Sequence, residues 1–174
     1  MAGGIRLTLV LGGARSGKSR YAESLITALP PPWIYMATAE AGDAEMAQRI
    51  AQHQTRRGQG WQTIEAAHDL VLPLETARAG APVLIDCLTL WLSNRMLADA
   101  DVDAEIQRLE ESLDRHAGPV VLVSNEVGFG IVPDNALGRH FRDLQGRLNQ
   151  RIAARADYVV LMVAGLPLIV KGSA

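Results

Sequence analysis

The chain has 174 residues, 48% of them hydrophobic and 21% charged, with a formal net charge of −2. That length is most simply one domain, residues 1–174, able to bury a full core, and the small net charge excludes a bulk electrostatic pull toward nucleic acid or acidic membranes. The single cysteine, Cys87, excludes an internal disulfide framework and suits a reducing compartment.

In chain order, Ile5, Leu7, Leu9, Val10 and Leu11 form an apolar run of strand length. The run is too short to span a membrane and lacks a signal-peptide cleavage pattern, so a cytoplasmic protein is expected. It leads straight into Gly12-Gly13-Ala14-Arg15-Ser16-Gly17-Lys18-Ser19, which reads G-x-x-x-x-G-K-[ST], the phosphate-binding loop pattern. Glycines let such a loop bend with its N–H groups turned inward around phosphate oxygens. The helix that follows adds unpaired N–H groups and the positive end of its dipole. Lys18 is expected to reach the β and γ phosphates, and the Ser19 hydroxyl to sit on Mg²⁺. Lys18 and Lys171 are the only lysines among 17 basic residues, so a lysine in this loop is not background.

Residues 20–26 read as the first turns of an amphipathic helix, stopped by Pro30-Pro31-Pro32. Trp33 to Thr38 predicts a second strand. Thr38, Ala39 and Glu40 then fall at its C-terminal end, where parallel α/β sheets bind ligands, so this turn either lines the site or simply connects two elements. Asp43 can cap a helix over 44–57, in which Glu45, Arg49, His53 and Arg57 share one face. Arginines one turn on either side of a histidine could hold phosphate oxygens while the neutral imidazole attacks phosphorus. A solvated polar face accounts for the same spacing.

Trp61 to Glu65 alternates as a short strand does, and a helix is expected over 69–78, closed by Gly80. Pro82 to Cys87 is an apolar strand ending in an acid. Next to a phosphate loop, Asp86 is expected to hold Mg²⁺, directly or through water; capping of the helix that starts near Leu88 is the other reading. Helices are expected over 88–97 and 102–116, with a buried strand over 119–124 between the second of them and the segment Asn125 to Pro133. That glycine-punctuated segment is a substrate loop or a subunit contact, with Glu126 either touching substrate or serving a structural turn. A long helix over 134–156, with a kink near Gly138 or Gly146 in view, carries Arg147, Arg151 and Arg155 as a stripe. The stripe reads as a solvated or interface face, with a phosphate clamp as the alternative. Residues 157–163 are expected to form the last main strand, and 166–170 to add an edge strand, with an antiparallel pairing in view. Strands alternating with helices make this an α/β chain with a mostly parallel sheet and helices on both faces.

Five blocks together resemble a known family. They are residues 12–19; Arg49-Ile50-x-x-His53 with Trp61 after it; Asp86-Cys87-Leu88-Thr89-Leu90-Trp91; Asn125-Glu126-Val127-Gly128-x-Gly130-Ile131-Val132-Pro133; and Arg139-x-Phe141-Arg142-Asp143. In this order they closely resemble the bifunctional cobinamide kinase / cobinamide-phosphate guanylyltransferase of vitamin B12 biosynthesis. The likeness runs from Leu9 nearly to Lys171, without departure in these blocks. It implies a phosphate-loop NTPase fold of the RecA-like kind and two reactions. One phosphorylates the aminopropanol hydroxyl of adenosylcobinamide with GTP or ATP. The other moves GMP from GTP onto that phosphate, releasing pyrophosphate. It also implies that GMP is first carried on His53. The nucleotide contacts it implies are Gly12, Gly13, Ala14, Arg15, Ser16, Gly17, Lys18, Ser19, the turn Thr38-Ala39-Glu40, the segment Gln54-Thr55-Arg56-Arg57, Glu65 and Asp86. Family members form trimers in which neighbours help build the site, so a homotrimer is implied.

Guanine-selective switch proteins use an Asn-Lys-x-Asp motif, and the only lysine outside the loop, Lys171, is followed by Gly172-Ser173. Guanine must be read otherwise, and Glu65 is a candidate acceptor for its N–H groups. Two rival functions stay open: a plain kinase using Lys18, Ser19 and Asp86 with no covalent step, and a nucleotide-gated binding module. The charge and the lack of a basic tail count against nucleic acid as the module's partner.

Overall fold

The computed structural model describes residues 6–40 and 58–172. Its elements are β1 (Leu7–Gly12), α1 (Lys18–Thr27), β2 (Trp33–Ala37), β3 (Trp61–Glu65), α2 (Val71–Thr76), β4 (Val83–Asp86), α3 (Leu88–Leu97), α4 (Val102–Arg115), β5 (Val120–Asn125), α5 (Ala136–Arg155), β6 (Tyr158–Val163) and β7 (Leu166–Lys171). The seven strands form one sheet in the order β3-β2-β4-β5-β1-β6-β7. All neighbours are parallel except β6 and β7, which pair antiparallel at the edge.

The core follows from the two-residue period of a strand. In β1, Leu7, Leu9 and Leu11 join the larger apolar cluster, with Leu74 of α2, Trp91 of α3, Leu109 of α4 and Leu148 of α5. Val10, of opposite parity, joins the other cluster with Ala22 and Ile26 of α1. Four described helices therefore cover one face of the sheet and α1 covers the other. Every residue of β1 is buried, as expected of a central parallel strand.

Element ends follow local chemistry. Asp101 caps α4 by accepting from the Ala104 N–H at 3.1 Å, and Asn135 caps α5 by accepting from the Gly138 N–H at 2.7 Å. Because Asn135 takes the cap, α5 begins two residues after the expected start at Asp134. The helix is assigned without a break from 136 to 155. Gly138 is there for fit: a Cβ on it would come within 2.9 Å of Pro133 Cβ. Helix α2 is shorter than the expected 69–78, because Ala77 is already extended, with ψ 144°. At the other end of α5, the Lys171 ammonium donates to the Ala153 and Ala154 carbonyls at 3.0 and 2.9 Å, complementing the negative end of the helix.

The arginine stripe on α5 is an intramolecular clamp. Arg151 makes two bonds to the Glu110 carboxylate of α4, at 2.8 and 2.7 Å, and Arg155 pairs with Glu110 and Asp114. Arg147 is exposed.

Candidate active site

In a parallel sheet, strand C-termini open onto one edge, and the loops there meet. β1, β5, β4, β2 and β3 deliver, in spatial order, the phosphate loop, Glu126, Asp86, the Thr38 turn and Glu65 to that edge.

The phosphate loop has the backbone the motif demands. Arg15 and Gly17 take positive φ of 57° and 93°, and Gly17 is the residue from which α1 starts. A Cβ at Gly12 would collide with Ser16 Oγ and stand 2.9 Å from the Met162 carbonyl oxygen, so only glycine lets the chain turn here. Both neighbouring strands brace the loop. The Glu126 N–H donates to the Gly12 carbonyl at 3.2 Å, and the Gly165 N–H, in the β6–β7 turn, donates to the Ser16 carbonyl at 3.0 Å. Ser16 Oγ is buried without a hydrogen-bond partner, a polar group of the sort a bound phosphate would satisfy. Lys18 Nζ donates to the Gly13 carbonyl at 2.9 Å. Burial holds the Lys18 ammonium below its ordinary range, while Cys87 and Asp86 pull the other way. A triphosphate would offer that partly desolvated charge a far better partner than one carbonyl.

Asp86 ends β4 and faces this lysine. The Tyr35 hydroxyl donates to its Oδ2 at 3.0 Å, leaving Oδ1 for other ligands. Asp86 does not cap α3: the cap position is Cys87, and no side chain bonds there. Cys87 is a buried thiol, pushed up to about 11 by desolvation and then by Asp86 beside it.

Thr38 ties its own turn to the end of β4. Its side chain is fully buried, and its hydroxyl donates to the Cys87 carbonyl at 2.8 Å while accepting from the Cys87 N–H at 2.7 Å. It staples the end of β2 to the peptide that follows Asp86. Its own carbonyl accepts from Asn94 Nδ2 at 3.0 Å. Ala39 and Glu40 follow at the surface, and Glu40 pairs with His68 at 3.2 Å. Glu65 is exposed on the edge strand, in register with Ala37. Four strand spacings, about 19 Å, separate β3 from the phosphate loop. His53, Gln54, Thr55, Arg56 and Arg57, with Arg49, lie outside the described residues.

Sequence reasoning missed a polar network behind Glu126. Gln145 and Asn149, one turn apart on α5, are buried with Ser124 at the end of β5. Ser124 Oγ donates to Asn149 Oδ1 at 2.7 Å, and Gln145 Nε2 donates to both at 2.9 Å. Asn149 Nδ2 donates to the Asn125 carbonyl and to Glu126 Oε1, at 3.0 and 3.1 Å. The signal was present: two amides sit at core positions of a helix whose other inward residues, Leu144, Leu148 and Ile152, are apolar.

The profile of the family described as cobinamide kinase / cobinamide phosphate guanyltransferase matches residues 8–170. The bifunctional adenosylcobalamin biosynthesis protein CobP of Pseudomonas aeruginosa is 48% identical over 167 residues, covering 94% of this chain and 96% of that one. The CobU proteins of Salmonella typhimurium and Escherichia coli, bearing the same bifunctional description, are 42% and 41% identical, each match covering 95% of this chain and 99% of the relative. A solved structure from Pyrococcus horikoshii OT3 superposes with a TM-score of 0.56 at 8% identity, over 97% of this chain and 87% of that one, and shows the shared fold alone. With a matching profile over most of its length and relatives above 40% identity, the chain belongs to the cobinamide kinase / cobinamide phosphate guanyltransferase family.

Proposed function

We propose that this protein phosphorylates adenosylcobinamide with GTP or ATP and then transfers GMP from GTP to adenosylcobinamide phosphate, through a guanylyl group carried on His53. The observation that carries the reading is the formed phosphate loop, with Lys18 and Asp86 at one strand-end edge, in a chain whose family acts as kinase and guanylyltransferase. A histidine phosphoramidate splits one hard displacement at phosphorus into two easier ones. Arg49 and Arg57, four residues to either side of His53 in the sequence, would hold the α-phosphate.

The nucleotide would lie along residues 12–19 and toward the Ala39 turn, Gln54 to Arg57 and Glu65, with Glu65 accepting from guanine N–H groups. Glu65→Gln should weaken GTP more than ATP; equal loss for both would remove that role. Ser19 and Asp86 would hold Mg²⁺. Two hard oxygen donors suit this ion, which keeps waters and takes its remaining ligands from substrate phosphates. Bound there, it would neutralise charge on the β and γ oxygens.

A homotrimer in the cytoplasm is part of the same proposal. Apolar residues left exposed on the loop after β5, Phe129 at 81% and Ile131 at 97%, and along β7, Leu166, Leu168 and Val170, support an assembly. No helix among the described residues is long and apolar enough to cross a membrane. The test is incubation with Mg²⁺ and GTP labelled at the α-phosphate, followed by denaturation. Acid-labile, alkali-stable label on the chain, lost in His53→Ala, is expected. Bound nucleotide with no label would leave a plain kinase.

A further inference from the structure

The two proposed reactions differ in what their acceptor must lose. The kinase acceptor is an alcohol, which carries a proton that has to leave as its oxygen bonds to phosphorus. The guanylyltransferase acceptor is a phosphate, already ionised near neutral pH. Only the first step needs a base, and it needs one next to the γ-phosphate.

Four described carboxylates sit at the strand-end edge. Glu40 is paired with His68. Asp86 is bonded by Tyr35 and is the residue proposed above to hold Mg²⁺. Glu65 is four strand spacings from the phosphate loop. Glu126 remains. It follows β5, which lies between β1 and β4, so it stands between the phosphate loop and Asp86, about 4.8 Å of strand spacing from each. Its own N–H is bonded to Gly12, the first residue of the loop motif.

The carboxylate is also aimed. Asn149 Oδ1 must accept, because Ser124 and Gln145 both donate to it, so its NH₂ side faces the Asn125 carbonyl and Glu126 Oε1. A flipped amide would set an oxygen against two acceptors. The polar chain of Gln145, Ser124 and Asn149, each at most 5% exposed, is costly to bury and ends on one carboxylate oxygen. Glu126 Oε2 has no such bond. Beside it, Asn125 Oδ1 is buried without a partner, at the position in register with Gly12. That is a second acceptor left open at the same place.

From this geometry we infer that Glu126 is the general base of the phosphorylation step, held by Asn149, and takes no part in guanylyl transfer. The acceptor O–H bond breaks and its proton passes to Glu126 Oε2. The O–P bond forms as the bond from the γ-phosphorus to the bridging oxygen breaks, and the nucleoside diphosphate leaves. Glu126 then returns its proton to solvent.

The inference rests on the kinase reading above, and one experiment separates the two. Glu126→Gln keeps the shape and the acceptor that Asn149 needs, and removes the basic oxygen. The two reactions are measured separately: phosphorylation starting from adenosylcobinamide, and guanylyl transfer starting from adenosylcobinamide phosphate. Loss of a positioned base predicts a 10²- to 10⁴-fold fall in kinase kcat, with nucleotide KM held within about threefold and guanylyl transfer within about threefold of wild type. Kinase kcat within threefold of wild type, or both reactions falling together, would overturn the inference. A wild-type chain that transfers guanylyl but never phosphorylates would overturn the kinase reading, and this inference with it.

Discussion

Thr38→Val tests whether the Thr38 staple, rather than packing, holds Asp86 in place. Valine keeps the volume and the branched shape and deletes one hydroxyl. The Cys87 carbonyl still has the Trp91 N–H as a partner at 3.2 Å. The Cys87 N–H, bonded to Thr38 Oγ1 at 2.7 Å, is left buried and unpaired. Two lost neutral bonds at about 1 kcal/mol each, with an orphaned amide adding about 1–2 kcal/mol, give a loss of about 3–4 kcal/mol. Thr38→Ser is the control. It keeps both bonds and loses a methyl from a fully buried site, at about 1 kcal/mol. Urea unfolding read by far-UV circular dichroism should therefore rank serine above valine. Nucleotide affinity should follow, because the staple fixes the peptide after Asp86. A valine variant within about 0.5 kcal/mol of wild type, or a serine variant less stable than valine, would refute the argument and make Thr38 an ordinary core residue.

Gly12→Ala should fold yet lose nucleotide binding by at least 10-fold in a titration, because its Cβ collides with Ser16 Oγ and the Met162 carbonyl and forces the loop open. Asp157 accepts from the Leu7 and Arg6 N–H groups at 2.8 and 2.9 Å, and these bonds, the Leu7 one first, hold its carboxyl below the ordinary value of 3.8. A depressed carboxyl stabilises above its unfolded pKa and stops doing so as pH falls through its folded value. Asp157→Asn should thus cost about 1 kcal/mol at pH 7 in this exposed setting, with the gap to wild type narrowing below pH 3.8. Arg151→Ala, which strips the two-bonded partner from nearly buried Glu110, should cost about 2–3 kcal/mol in denaturant unfolding. Replacing both partners, Arg151→Met with Glu110→Leu, should recover most of that loss; failure to recover would mean the pair itself carries the stability.

Much of the fold was readable without coordinates, for identifiable reasons. Strand β1, the loop motif and α1 announce themselves because a phosphate cradle needs glycine where φ is positive and a lysine at one fixed spacing, and these demands are local. Continuous apolar runs at 83–85 and 120–123 mark central parallel strands, since burial on both faces removes the alternation. The edge pair β6–β7 shows as two strand segments only Ala164 and Gly165 apart, a connection too short for a parallel crossover.

What the sequence could not settle depends on neighbours distant in the chain. Thr38 and Cys87 are far apart in sequence and bonded in space, so only the fold shows that this turn, read as lining the site or merely connecting two elements, is tied to the peptide after Asp86. The stripe of Arg147, Arg151 and Arg155 is identical on paper whether it meets solvent, phosphate or Glu110; only the packing of α4 against α5 chooses the carboxylate for two of the three. Local chemistry determined the motif and the elements, because φ, capping and burial period act within a few residues. The strand order placed Glu126 between the phosphate loop and Asp86 and set the Asn149 network behind it. That arrangement belongs to the tertiary structure, because hydrogen-bond direction across a sheet and between sheet and helix exists only once the chain has folded.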